Sequence, residues 1–369
     1  MGALFDGVGP RNRGIDQIRG VAILLVLLHH FDIAYPLRGT AAAWLGGWDW
    51  LRAIVRNGNY GVTMFFVVSG YLITSNALRR WGSLDRLDAA RFYALRAARI
   101  LPCLLLLLAV ANLLAVAGLR RFQSHPALPF WLIDIAALTS WVNVLIARDG
   151  WFNYPLGVLW SLSVEEMFYL TFPILCLTLR RETALLAFWA VLVVVGPVYR
   201  FVHHDEGAVL YAYFACFDSI AIGCCTALLA RRVILPPRDA RVLQLVVAAV
   251  MAAVYLCRPI GQTNVIGVTA MALGTSLLLI ASRERPDLGG GRAGAPLRWL
   301  GRLSYELYLF HLVVLGLLVT LIPPGATAGG VKPVLLAVFL IVSACVANLI
   351  GRFYAEATNR WLRRRLLTR

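Results

Sequence analysis

The sequence predicts an all-α protein, a polytopic transmembrane helix bundle of about ten spans with both termini cytoplasmic. Of its 369 residues, 60% are hydrophobic and 15% charged, against about 25% charged in an ordinary soluble domain. The mean hydropathy is +0.73. Apolar stretches of about 18 residues or more recur along most of the chain, each long enough to cross the hydrocarbon of a bilayer. The net charge of +16 rests on 34 Arg and a single Lys, Lys332. In a soluble protein that excess would suggest nucleic acid. Here the arginines cluster between apolar runs, which is the positive-inside pattern, and no nucleic-acid-binding module is legible.

Taken in order, the first span covers 16–36. Its apolar run starts after Arg11, Arg13 and Arg19 and lacks a small-residue A-x-A cleavage site, so it reads as a retained helix rather than a signal peptide. The second covers 61–78, and the most basic loop follows: Arg79, Arg80, Arg86, Arg91, Arg96 and Arg99. That loop is either topology-setting charge or a phosphate-binding surface, since Arg forks match phosphate oxygens. The third span is 100–119. Segment 130–147 is apolar but carries Asp134 and Asn143 among aromatic, Pro and Gly residues. Spans four to eight are 158–179, 183–202, 208–230, 241–260 and 262–282. His203, His204, Asp205 and Glu206 fall in a short outer loop without metal-ligand spacing. Gly289-Gly290-Gly291 lacks the Lys and Ser/Thr of a P-loop and reads as a linker. Spans nine and ten are 300–322 and 334–355, and the basic stretch Arg360–Arg365 suits anionic headgroups. Seven Cys, an odd number without a C-x-x-C, read as small apolar residues in helix packing. The whole of 1–369 reads as one membrane domain.

Charge decides the doubtful segment. With ten spans and a cytoplasmic N-terminus, 24 Lys/Arg fall inside and 9 outside, leaving out Arg19 and Arg352 within spans. If 130–147 also crossed, the split would become 12 inside against 21 outside. The positive-inside rule therefore puts 130–147 on the outer surface or in a re-entrant loop.

Ionisable groups within spans are costly and mark candidate function. Arg19 and His30 stand eleven residues apart in span one, three turns plus about 20°, so they share a helix face with a rise of about 16 Å. Asp16, one turn before Arg19, is placed to orient its guanidinium. His29 points about 100° away from His30. In span four, Leu159-Trp160-Ser161-Leu162-Ser163-Val164-Glu165-Glu166 carries two adjacent carboxylates, expected in the outer half at a depth similar to His30. They are edge charges or site residues. In span nine, Tyr308 and His311 lie one turn apart, as a satisfied polar cluster or as catalytic groups. No His/Cys cluster suggests a metal.

These motifs together resemble the acyltransferase-3 family of integral membrane acyltransferases, of the O-acetyltransferase type. The segments that carry the resemblance are, in order, Asp16-Gln17-Ile18-Arg19-Gly20 with His30, Gly61 to Ile73 including Ser69-Gly70-Tyr71, Arg91 to Pro102, Leu159 to Tyr169, and Gly301 to His311. Met167 stands where members often have Gln, and Thr63 where Asp is common. The resemblance implies transfer of an acyl group, usually acetyl, from cytoplasmic acetyl-CoA or another acyl-CoA, without a metal. The implied acceptor is a hydroxyl of a carbohydrate or glycosylated molecule: a surface polysaccharide, peptidoglycan, a lipid-linked sugar or a glycosylated metabolite. The implied setting is a bacterial cytoplasmic (inner) membrane, with the lipid bilayer as surroundings and no nucleic-acid partner. The hydrolase-like domain that some members append is not seen in the sequence.

The family's motif residues carry over to Arg19 and His30, to Arg96 and Arg99, and to Glu165 and Glu166. On that reading Arg19, Arg96 and Arg99 hold CoA phosphates and the pantetheine arm runs along span one. His30 then acts as general base, or as nucleophile through an acyl-imidazole. Glu165 or Glu166 orients the imidazole or holds the acceptor, and Tyr308, Ser69 or a backbone N–H is a candidate oxyanion donor. The rival class is a proton-coupled transporter, which predicts inverted repeats that the sequence does not display.

Overall fold

The computed structural model describes residues 12–124, 128–284 and 291–367. Arg11, Gly289 and Gly290 lie outside the described residues. Among those described, the chain is helical and contains no strand. In order, the helices are α1 (Arg13–Ala34), α2 (Ala41–Gly46), α3 (Trp48–Val55), α4 (Asn59–Trp81), α5 (Ala89–Val116), α6 (Phe130–Leu138), α7 (Val142–Asp149) and α8 (Leu159–Leu179). There follow α9 (Glu182–Val202), α10 (Tyr213–Leu229), α11 (Pro237–Cys257), α12 (Ile260–Glu284), α13 (Ala295–Arg302), α14 (Ser304–Leu321), α15 (Lys332–Leu349) and α16 (Glu356–Leu367).

Nine helical segments among the described residues are long and apolar enough to cross a membrane. The expected sixth span is the exception. Its helix, α10, has 17 residues and starts at Tyr213 rather than 208, after a single 3₁₀ turn. Twelve of its residues are buried, so it is enclosed by other helices more than by lipid. The closest approach is to α4. A Cβ at Gly70 would overlap the carbonyl oxygen of Ile220, and one at Gly223 the carbonyl oxygen of Val67. Small residues let two backbones approach this far in a membrane.

The segment 130–147 does not cross. It is two short helices, α6 and α7, separated at Ser140, whose φ of 67° breaks the helix. Nine residues of α6 rise only about 14 Å, against about 30 Å of hydrocarbon. Asn153 Nδ2 donates to the Phe122 carbonyl at 2.8 Å, so the chain returns to the face it left.

The loops sort into two faces. On one, Tyr35 Oη donates to Ile322 O (2.6 Å), Lys332 Nζ to Pro36 O (2.6 Å), and Asn57 Nδ2 to Arg258 O (2.9 Å). On the other, the Asn12 side chain caps α1 and donates to Ser282 O at 2.9 Å, and Arg231 pairs with Glu182 at 2.8 Å. This alternation fits ten crossings with 130–147 on the first face.

Two boundaries differ from expectation in ways that matter for the site. The third span starts eleven residues before 100, because Asp88 caps α5 by accepting the Arg91 N–H at 2.9 Å. Arg91, Arg96 and Arg99 are therefore rungs of a helix, not a loop. At 28 residues α5 is about 42 Å long, so its arginine-bearing end projects past the hydrocarbon. The ninth span breaks at Leu303 into α13 and α14. A Cβ at Gly20 would overlap Leu297 O, and one at Gly301 would overlap Asp16 O, which seats α13 against the start of α1. The tenth span passes through a π-helical turn at Ile350–Ala355 before continuing as α16.

Candidate active site

The polar residues of α1, α4, α5, α8 and α14 form one continuous column. At its top, His30 on α1 meets His311 on α14: His30 Nδ1 and His311 Nε2 are 3.0 Å apart. One turn back along α14, Tyr308 Oη lies 2.7 Å from Ser161 Oγ and 3.2 Å from Val158 O. One turn further along α8 is Glu165, and one more turn brings Tyr169, whose hydroxyl donates to Glu165 Oε2 at 3.4 Å. The Tyr169 hydroxyl also makes a short hydrogen bond with Ser69 Oγ of α4. At the foot, the Arg96 guanidinium of α5 sits 4.6 Å from the centre of the Tyr169 ring. From His30 to Tyr169 the column descends by about 16 Å of helical rise. That equals the rise between His30 and Arg19 along α1, so the two routes lead to one level.

Three arginines converge there. Arg96 and Arg19 both interact electrostatically with Glu165. Arg99 and Arg19 both interact with Glu306, and Arg99 lies 5.8 Å over the Tyr305 ring. Arg96 is half-buried and Arg99 exposed. Three guanidiniums gathered around Glu165 and Glu306 at one end of the column suit a polyanion such as the phosphates of a nucleotide.

The two carboxylates are not at the depth of His30. Glu165 lies about two turns, or about 10 Å, nearer the arginines. The cause is the start of α8. Leu156, Gly157 and Val158 are all buried, so the helix begins inside the bundle, not at its edge, and Glu165, its seventh residue, lies deeper than its position in the chain suggests. Glu165 engages Tyr169 and the arginines, and the Nδ1 of His30 is occupied by His311 and by Val26 O at 3.1 Å. Glu166 Oε1 is buried with no hydrogen-bond partner.

The remaining candidates are placed as follows. Asp16 is buried under α13, beside Gly301. Ser69 and Tyr308 both belong to the column. His29 turns away, its Nδ1 lying 2.9 Å from Val55 O. His203 and His204 lie in the loop between α9 and α10, and no group of three metal-ligating side chains occurs among the described residues.

Sequence reasoning missed two features. Ser161 and Tyr169 lay within the span-four motif, but their partners come from α14 and α4, which no local spacing reveals. Arg200 and Asp218 were passed over although both lie within spans. They form an ion pair at 2.8 Å, completed by Thr269 Oγ1 at 2.7 Å and the Ala215 carbonyl, with both side chains fully buried. The rule that an ionisable residue within a span needs a partner would have found them.

The acyltransferase domain model of the acyltransferase-3 family matches residues 12–352. A candidate O-acetyltransferase of Staphylococcus aureus (strain COL) is 27% identical over 333 residues, covering 82% of this chain and 50% of that protein. The candidate peptidoglycan O-acetyltransferase YrhL of Bacillus subtilis (strain 168) is 27% identical over 325 residues, covering 82% and 48% respectively. The O-acetyltransferase OatA of Staphylococcus aureus (strain NCTC 8325 / PS 47) is 28% identical over 228 residues, covering 58% and 34%. The chain thus spans about half the length of the first two, 50% and 48%. No solved structure matches it at a significant level. With a family model matched over nearly its whole length, and the motif residues gathered into one column, the chain belongs to the acyltransferase-3 family of membrane acyltransferases.

Proposed function

We propose that this protein is an O-acyltransferase of the bacterial cytoplasmic membrane. It moves acetyl from cytoplasmic acetyl-CoA to a hydroxyl of a carbohydrate-like acceptor that arrives from the outer face. The observation that carries the reading is the polar column from Arg96 to His30. A nucleotide diphosphate held by Arg19, Arg96 and Arg99 places its thioester about 16 Å away, at the end of a pantetheine arm, which is where His30 stands. The amide groups of that arm pass Tyr169, Glu165, Ser161 and Tyr308, all able to hydrogen-bond them.

A sugar hydroxyl is a weak nucleophile at neutral pH. His30 takes its proton as the oxygen attacks the thioester carbonyl; the C–S bond breaks and the leaving thiolate recovers the proton. Ser161 and Tyr308 are the hydroxyl donors nearest to His30 in the column, and one of them turning its proton inward supplies the oxyanion contact. The acceptor class follows the relatives, of which one is named for peptidoglycan. A surface polysaccharide or lipid-linked sugar has the same reacting group.

The test is CoA release from acetyl-CoA by purified protein with a panel of sugar acceptors, wild type beside His30→Ala. Acceptor-dependent release that falls about 10²–10⁴-fold in the variant, with CoA binding retained, supports the reading. Wild-type protein that neither binds nor consumes acyl-CoA overturns it and favours the proton-coupled transporter. Equal turnover by both keeps the enzyme but removes His30 from the chemistry.

A further inference from the structure

The contacts around the two imidazoles fix where their hydrogens are. His311 is fully buried. Its Nδ1 lies 2.8 Å from Tyr308 O and 3.1 Å from Leu307 O. Both are carbonyl oxygens, which only accept, so Nδ1 carries the hydrogen. In a neutral imidazole the other nitrogen then holds a lone pair. The neighbour of that lone pair, at 3.0 Å, is His30 Nδ1, which also lies 3.1 Å from Val26 O. Two acceptors face His30 Nδ1, so it too bears a hydrogen, shared between them. His30 Nε2 is left bare.

We propose that His311 is a positioning residue that holds His30 as its Nδ1–H tautomer, so that the Nε2 lone pair is the one offered to the reacting hydroxyl. The inference rests on His30 being the base of the proposed reaction. A carboxylate commonly orients a catalytic imidazole; here a second, neutral imidazole does so, and its own tautomer is set by two backbone carbonyls of α14. When His30 Nε2 takes the hydroxyl proton, the ring becomes an imidazolium and its Nδ1–H bond to His311 Nε2 becomes charge-assisted and stronger. The same proton on Nε2 is later returned to the departing thiolate, so the pair ends as it began.

The experiment combines two readouts. First, ring ¹⁵N shifts are recorded on histidine-labelled protein in lipid, with the His30 signal identified by its loss in His30→Gln. Wild-type His30 is expected with hydrogen on Nδ1 and none on Nε2; hydrogen on Nε2 overturns the proposal whatever the activity. Second, turnover is compared in His311→Gln, whose amide oxygen reaches about as far as Nε2, and in His311→Leu, which has no acceptor. The Gln variant is expected to keep kcat within about tenfold and the Leu variant to lose about 10²-fold or more, at unchanged KM for acyl-CoA. A Leu variant with wild-type kcat overturns the positioning role. If the wild type turns over no acyl-CoA, the functional reading fails, while the shifts still decide the tautomer.

Discussion

Arg200 and Asp218 form an ion pair at 2.8 Å with no exposed side-chain surface on either partner. The pair ties α9 to α10, and Thr269 adds α12 to the same knot through bonds to both charges, at 2.7 and 3.1 Å. Gly196, facing Asp218, leaves the room for it, since a Cβ there would meet the carboxylate. The same α10 packs backbone to backbone on α4 through Gly70 and Gly223. Because α4 carries Ser69, the knot lies behind the wall that supports the column.

Breaking this pair from one side leaves a buried charge. Arg200→Leu or Asp218→Leu is expected to destabilise the protein by about 3–5 kcal/mol. The double variant Arg200→Leu/Asp218→Leu removes both charges and is expected to be closer to wild type than either single one. Thermal unfolding in detergent, followed by tryptophan fluorescence, measures this. Additive losses in the double variant would contradict the coupling.

The return of the chain after α7 gives a topological test. Gln123→Cys and Asp149→Cys flank the segment 130–147, and Arg86→Cys marks the opposite face; all are made in a Cys257→Ser/Cys345→Ser background, since both of those thiols are exposed. With intact cells and a membrane-impermeant maleimide, positions 123 and 149 are expected to label, and position 86 only after permeabilisation. Labelling at 123 but not 149 would mean that the segment crosses after all. The reverse pattern for all three would keep the fold and invert its orientation.

How much of this was legible beforehand depended on the range of the signal. Apolar length identified most of the helices, and charge counting agrees with the fold that 130–147 does not cross, because both signals average over many residues. The alignment of Arg19 with His30 follows from one helix and survives in the structure. Depth did not transfer between helices. Glu165 was levelled with His30 by assuming that α8 starts at the outer surface, and the buried turn Leu156–Val158 is a tertiary fact that no local pattern shows. The α5 arginines were read as a loop because charge ends an apolar window, although the Asp88 cap was present in the sequence. The His30–His311 contact joins residues 281 positions apart; spacing along one helix cannot predict it.

On the proposed function, donor binding and chemistry part at the foot of the column. Arg96 stacks 4.6 Å over the Tyr169 ring, and Tyr169 in turn bonds Ser69 and Glu165 through its hydroxyl. On the proposed function Arg96→Gln removes a phosphate-binding cation, and a lost charge-assisted hydrogen bond is worth about 1.5–3 kcal/mol. CoA affinity measured by calorimetry should therefore fall about 10- to 100-fold. Arg96→Lys should restore part of it, since the charge returns without the fork. Tyr169→Phe keeps the ring under Arg96 and deletes the hydroxyl link, so it should leave CoA affinity within about threefold and lower kcat instead. If Arg96→Gln binds CoA as the wild type does, the phosphates are held elsewhere and the column loses its lower end. If Tyr169→Phe loses affinity as severely as Arg96→Gln, the hydroxyl belongs to donor binding and the division drawn at this residue is wrong.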